Sequence, residues 1–191
     1  MNKLNLIKLQ NFPLSHLLIV VVAILFLSST EPILAQQRSE INIPDIPGYV
    51  TLKCDFHMHT LFSDGIVWPT TRVEEAWREG LDVIAITEHI ESKPSQGEIA
   101  KNLNRSYELA LPTARKFNII LIKGGEITRQ MPPGHFNAIF LKDIELLDTK
   151  NFTDAFQQAM TQEAFLFWNH PGDMWYSLHT EFYEKGWMHG I

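Results

Sequence analysis

Five short apolar runs, at residues 49–56, 81–87, 119–123, 136–141 and 164–168, each border on histidine or a carboxylate, and this recurrence constrains the fold most. The first exits through Asp55, His57 and His59, the second through Glu88 and His89, the third through Gly124, Gly125 and Glu126. The fifth exits through Asn169 and His170, while the fourth opens just after His135. Structural histidines scattered through a fold have no reason to prefer strand exits. Groups that share one pocket at one end of a sheet must lie there.

Periodicity supports the strands. In the first run Val50, Leu52, Cys54 and Phe56 alternate with less apolar positions, the period of two of a half-buried strand. That alternation places Asp55, His57 and His59 on one face, opposite Phe56 and Met58. Residues 81–87 are apolar almost throughout, as in a strand covered on both faces. Between the runs lie helical segments. Pro69 with Thr70 and Thr71 starts one whose face is Val73, Ala76 and Trp77 and whose stop is Gly80. A second covers 99–116, disturbed at Pro112. A third covers 154–163, capped by Asn151 or Thr153. Residues 181–185 have weak helical character, and 187–191 open one more strand. Alternating strands and helices predict a parallel α/β architecture, and ligand-type residues at strand ends place a site at the C-terminal mouth of a β/α barrel.

Residues 1–35 read as a signal peptide. Lys3 and Lys8 precede an unbroken apolar run of eleven residues, 17–27, and Ala35 offers a small residue before the cut. The run falls short of the roughly 20 residues that span a bilayer, so the expectation is an exported, periplasmic or extracellular protein with no membrane contact beyond this segment. Residues 36–47, with Pro44 and Pro47, read as a polar linker. The remaining 156 residues carry 14 Lys and Arg against 21 Asp and Glu, a net charge of −7. That balance lacks the basic stripe nucleic acid requires. Cys54, the single cysteine, excludes an internal disulfide framework.

The set H-x-H-x-x-x-S-D-G (His57, His59, Asp64, Gly65), T-E-H (His89), G-G-E (Glu126), P-G-H (His135) and N-H-P (His170) resembles the PHP family, named for polymerase and histidinol phosphatase domains. The resemblance spans about residues 50–191 and is most similar to exported phosphodiesterase-type members. It implies a distorted, seven-stranded β/α (TIM-like) barrel over 48–191, with two or three divalent metal ions. It further implies that His57, His59 and Glu126 hold one ion, that Glu126 bridges to a second held by His135 and His170, and that Asp64 and His89 hold a third. Two departures stand out. Glu88 replaces the usual Asp before His89, and the family's final D-x-H motif does not occur, so the domain is expected to be C-terminally incomplete, truncated before its last strands. The 156 residues also fall below the 200 or more typical of such barrels.

A donor set of nitrogen and oxygen suits Zn, Mn or Fe. Two ions about 3.5 to 4 Å apart lower the pKa of a shared water to near neutrality, so no side-chain nucleophile is required. The expected function is therefore hydrolysis of a small phosphodiester or phosphomonoester, with the possibility that the truncated chain is inactive. Arg129 is a candidate phosphate fork. A metal-dependent amidohydrolase is the alternative, with Lys123 as its candidate lysine ligand; a non-catalytic metal-binding domain is the third. His179 and His189 match no motif and are expected in structural roles.

Overall fold

The computed structural model describes residues 37–91, 102–172 and 175–191. The signal peptide expected at 1–35, the first residue of the linker and the opening of the second helix at 99–101 lie outside the described residues. Among the described residues no helix is long and apolar enough to cross a membrane.

Strands β1 (Cys54–Met58), β2 (Val83–His89), β3 (Ile120–Thr128), β4 (His135–Ile139) and β5 (Phe165–Trp168) form one sheet in sequence order. The helices are α1 (Pro69–Arg78), α2 (Arg105–Phe117), α3 (Phe152–Thr161) and α4 (Ser177–Glu184), with a 3-10 turn at Ile144–Leu147. The sheet curls as a half-barrel. Five strands are formed among the described residues, where the resemblance implies seven. Residues 187–191 do start another neighbour, since Gly190 bridges Phe167 in parallel and accepts from Trp168 N at 3.0 Å.

The expected parallel order fails at one strand. β1, β2 and β3 are parallel, but β4 runs antiparallel to both β3 and β5. The reason is the connection: 129–134 holds no helix and is too short for a crossover, so the chain turns back. Reversal places the first residue of β4, His135, opposite Thr128, the last residue of β3.

β2 shows how the layers divide. Ile84 and Ile86 pack with Val73 and Ala76 of α1 and Ala110 and Ala114 of α2, whereas Val83 and Ala85 pack with Ile122 and Ile139 on the concave face. Burial on both faces of β2 is as its apolar run predicts. A larger cluster, with Phe136, Phe156, Leu166, Trp168 and Phe182, joins β4 and β5 to α3 and α4.

Several boundaries differ from expectation for identifiable reasons. Tyr49, Val50 and Leu52 are exposed at 76, 78 and 49%, because β1 begins only at Cys54 where pairing with Val83 starts. Phe56 and Met58 do not share a face: Phe56 joins the Val83 and Ala85 cluster, Met58 the Ile84 and Ile86 cluster. A register shift between Asp55 and Met58 resets the alternation. α2 continues through Pro112 and ends at Asn118 in left-handed conformation, φ 57°. The linker is anchored beside α1, where Arg38 donates to Asp82 Oδ1 at 2.6 Å and Ser39 N donates to Arg78 O at 2.7 Å, and again where Thr51 N donates to Asp45 Oδ1 at 2.7 Å. A Cβ on Gly80 would meet Ser39 O at 2.6 Å, so this position accepts only glycine.

Candidate metal centre

Glu126 is fully buried in the interior of β3, with His89 beside it on β2 and Asn137 beside it on β4. The sequence places it just past a strand that ends at Lys123 and closes with Gly124 and Gly125. The glycines serve another purpose. A Cβ at Gly124 would lie 2.9 Å from Thr87 Cγ2, and one at Gly125 would lie 2.9 Å from Ile90 Cδ1 and 3.0 Å from Ile144 Cγ2. They let neighbouring chains close over β3 and carry the strand on to Thr128.

Four imidazoles converge on this carboxylate. His57 Nε2, His59 Nε2 and His89 Nδ1 lie 3.4, 3.2 and 3.1 Å from Oε2, and His135 Nδ1 lies 2.9 Å from Oε1. His170 follows β5 at φ 50°, and its ring stands 5.2 Å from that of His57 and 6.1 Å from that of His135. Asp64, in the loop after β1, faces His89 Nε2 at 3.2 Å and His59 Nδ1 at 3.7 Å. All seven metal-site candidates therefore come together at one end of the sheet. Their ligand atoms form three groups able to hold an ion: His57, Glu126 and His170; His59, Asp64 and His89; His89, Glu126 and His135. This division differs from the one the resemblance implies. His57 and His59 fall into separate groups, and His170 joins His57 rather than His135.

The electrostatics follow from this crowding. Burial pushes the Glu126 pKa up, but hydrogen bonds from His57 and His59, the charge of His89 and a contribution from Asn169 outweigh it and hold the carboxyl well below the usual range. Burial pushes the His59 imidazole down, yet the hydrogen bond and charge of Glu126, with Asp64 and Glu88 behind, leave it raised. Asp64 feels some burial, which raises it, and is lowered overall by His89 and His59.

Three residues support the ligands from behind. Glu88 is buried and accepts from Thr60 N at 3.1 Å and from the Thr60 and Ser63 hydroxyls, and Ser63 Oγ also lies 3.3 Å from His59 Nδ1. It secures the loop that carries Asp64. Thr128 Oγ1 lies 2.6 Å from His89 Nδ1. Asn137, fully buried, donates from Nδ2 to Phe56 O at 3.1 Å and so ties β4 to β1 across the concave face. A polar residue inside the apolar run 136–141 is the one sequence hint of that tie.

A cavity of about 350 Å³ opens beside His135 and His170, lined also by Arg129, Gln130, Met131, Gly134 and Asn169. Arg129 stands at its edge with its charge already matched: Nη2 lies 2.8 Å from Glu91 Oε1 and donates to Thr149 O at 2.8 Å. Burial raises the Glu91 carboxyl against the lowering effect of Thr128 N and Arg129. Lys123 turns away from the cluster, its ammonium donating to Lys142 O at 3.0 Å and lying 4.9 Å from the Tyr107 ring centroid.

No protein-family model and no curated protein sequence matches the chain. Among solved structures, a two-domain protein from Bacteroides vulgatus, described as containing a predicted PHP-like metal-dependent phosphoesterase, aligns at 55% identity over 82% of this chain with a TM-score of 0.80. The chain spans 48% of the length of that protein. An amidohydrolase from Chromobacterium violaceum aligns at 14% identity over 73% of this chain and 76% of its own, with a TM-score of 0.54, a likeness of fold alone. By sequence and by fold, the chain is thus a relative of the PHP-like proteins, as its motifs imply.

Proposed function

We propose that the chain is a metal-dependent phosphoric ester hydrolase acting on a small phosphodiester or phosphomonoester. The carrying observation is the buried Glu126 carboxylate: its Oε1 and His135 Nδ1 lie 2.9 Å apart, and neither atom makes a hydrogen bond. Leaving such buried atoms unpaired costs roughly 1–3 kcal/mol each. A divalent cation satisfies several lone pairs of this kind together. The donors are imidazole nitrogens and carboxylate oxygens without thiolate, which fits Zn, Mn or Fe.

In this reading His57, Glu126 and His170 would hold one ion and His59, Asp64 and His89 another, with His135 joining Glu126 on the cavity side. The chemistry such ions supply when bound is Lewis acidity toward phosphoryl oxygens and acidification of water. Glu126 is too deeply buried to touch substrate and serves to gather the imidazoles. His135, 35% exposed, and the exposed His170 face the cavity, so the ester is met there. Arg129 would have to leave Glu91 to grip a phosphate, which makes bound cations the main counter-charge. The Bacteroides vulgatus relative supports the reaction class. Lys123, the residue that favoured an amidohydrolase, points elsewhere and gives that alternative no support.

The test is hydrolysis by the full-length protein loaded with Mn²⁺ or Zn²⁺, using bis-p-nitrophenyl phosphate and p-nitrophenyl phosphate. Turnover of either ester, abolished by chelation and restored by metal, is expected. Bound metal with no turnover of either would overturn the hydrolase reading in favour of a metal-binding domain. Export, and the seven-stranded closure of the barrel, belong to the same proposal; sequencing of the secreted product is expected to start near Gln36.

A further inference from the structure

His179 belongs to none of the ligand groups, yet it is fully buried with both ring nitrogens engaged. Nε2 lies 2.8 Å from Pro133 O, and Nδ1 lies 3.3 Å from Tyr176 N. A carbonyl can only accept and an amide N–H can only donate, so the ring is the neutral tautomer with its proton on Nε2. The ring also stacks on Trp168, centroid to centroid 4.0 Å at 20°, and lies 6.1 Å from Phe136 at 15°. Trp168 and Phe136 are register partners, one shortly before His170 and the other directly after His135. The turn rests on the same indole, since a Cβ on Gly134 would lie 3.1 Å from Trp168 Nε1.

We propose that His179 is a positioning residue for the candidate centre. Through Pro133 and Trp168 it fixes the turn 129–134, the wall of the cavity beside His135 and His170. The proposal rests on the metal-centre reading for its consequence, while the tautomer and the turn can be measured without metal. Partners hydrogen-bonded directly to a ligand typically change metal affinity 10–100-fold, and His179, which holds the turn before His135 rather than a ligand, is expected at the low end of that range.

The experiment compares the chain with His179→Phe, which keeps an aromatic ring in the stack but removes the donor to Pro133, and His179→Gln, which keeps a donor. ¹⁵N NMR of the metal-free chain is expected to show the Nε2–H tautomer at His179. Hydrogen exchange is expected to quicken at Gly134 in His179→Phe. Mn²⁺ titration is expected to show about tenfold weaker binding in His179→Phe and a smaller loss in His179→Gln. An Nδ1–H tautomer, or a folded His179→Phe with unchanged exchange at Gly134 and unchanged Mn²⁺ affinity, would overturn the proposal. If His179→Phe does not fold, His179→Gln decides: quicker exchange at Gly134 with weaker Mn²⁺ binding supports the role, and unchanged exchange with unchanged affinity overturns it. If the unsubstituted chain binds no Mn²⁺, the metal-centre reading fails, and the tautomer with Gly134 exchange still decides whether His179 holds the turn.

Discussion

At one end of the sheet, six ligand-type side chains from the strands and the loops that follow them gather around the Glu126 carboxylate, which has no exposed surface. Elsewhere on the concave face, between β1 and residues 190–191, a groove of about 510 Å³ is lined by Phe56, Ile139, Phe140, Phe165 and Phe167. Phe140 and Phe165 remain 55 and 42% exposed there. His57 borders both regions. The difference teaches that polar convergence needs only correct register between neighbouring strands, whereas an apolar surface gains stability only when something covers it. The cluster should therefore be insensitive to substitutions in the groove.

The largest effect that tests this contrast is in the core beneath the cluster. Phe136→Ala, removing a fully buried ring, should cost about 4 kcal/mol in urea unfolding. A loss under about 1 kcal/mol would mean that β4 is not held by the packing described. Next, Glu126→Gln should weaken Mn²⁺ binding on the order of 100-fold and lower ester hydrolysis with it, since the shared carboxylate is lost from the centre. Retained affinity would show that the ions do not depend on Glu126. Because Glu126 favours a proton on His59, metal binding must displace it, so affinity should already be falling as pH drops from above toward the ordinary imidazole value of about 6.5.

A third test lies away from both regions. Burial raises the Asp82 carboxyl, but Lys53 N–H, the Lys53 ammonium and Arg38 outweigh it and lower it to about 2. Its folded pKa is below the unfolded one of about 3.9, so its contribution is complete above that value and is lost as pH falls through about 2. Asp82→Asn should cost about 2 kcal/mol at neutral pH and flatten this acid limb, as followed by thermal unfolding across pH 2 to 7. The smallest effect is expected in the groove. Phe165→Ser should change stability by no more than about 0.5 kcal/mol and leave Mn²⁺ affinity unchanged. A large loss of affinity there would break the separation between groove and cluster.

Much of this was legible from residue order. β2 was readable because a strand covered on both faces needs apolar residues throughout, and α1 because Pro69 and Gly80 mark its limits. His57, His59, His89 and His170 could be placed at strand exits because each follows an apolar run directly. Glu126 was harder. From sequence the strand closes at its two glycines, and only the closeness of Thr87, Ile90 and Ile144 shows why they occur inside a strand. Glu88 and Asn137 act through distant partners, Ser63 and Phe56, which residue type alone does not reveal.

Taken by itself, the sequence determined which elements form, in what order, and which side chains can serve as ligands, because periodicity and helix or strand endings are local properties. The tertiary structure decided the direction of β4, and with it the arrival of His135 beside Glu126. It also decided the approach of both His57 and His59 to Glu126 Oε2 and the capture of Arg129 by Glu91. Each depends on which strand lies alongside which, and pairing is settled by contacts between residues far apart in the chain.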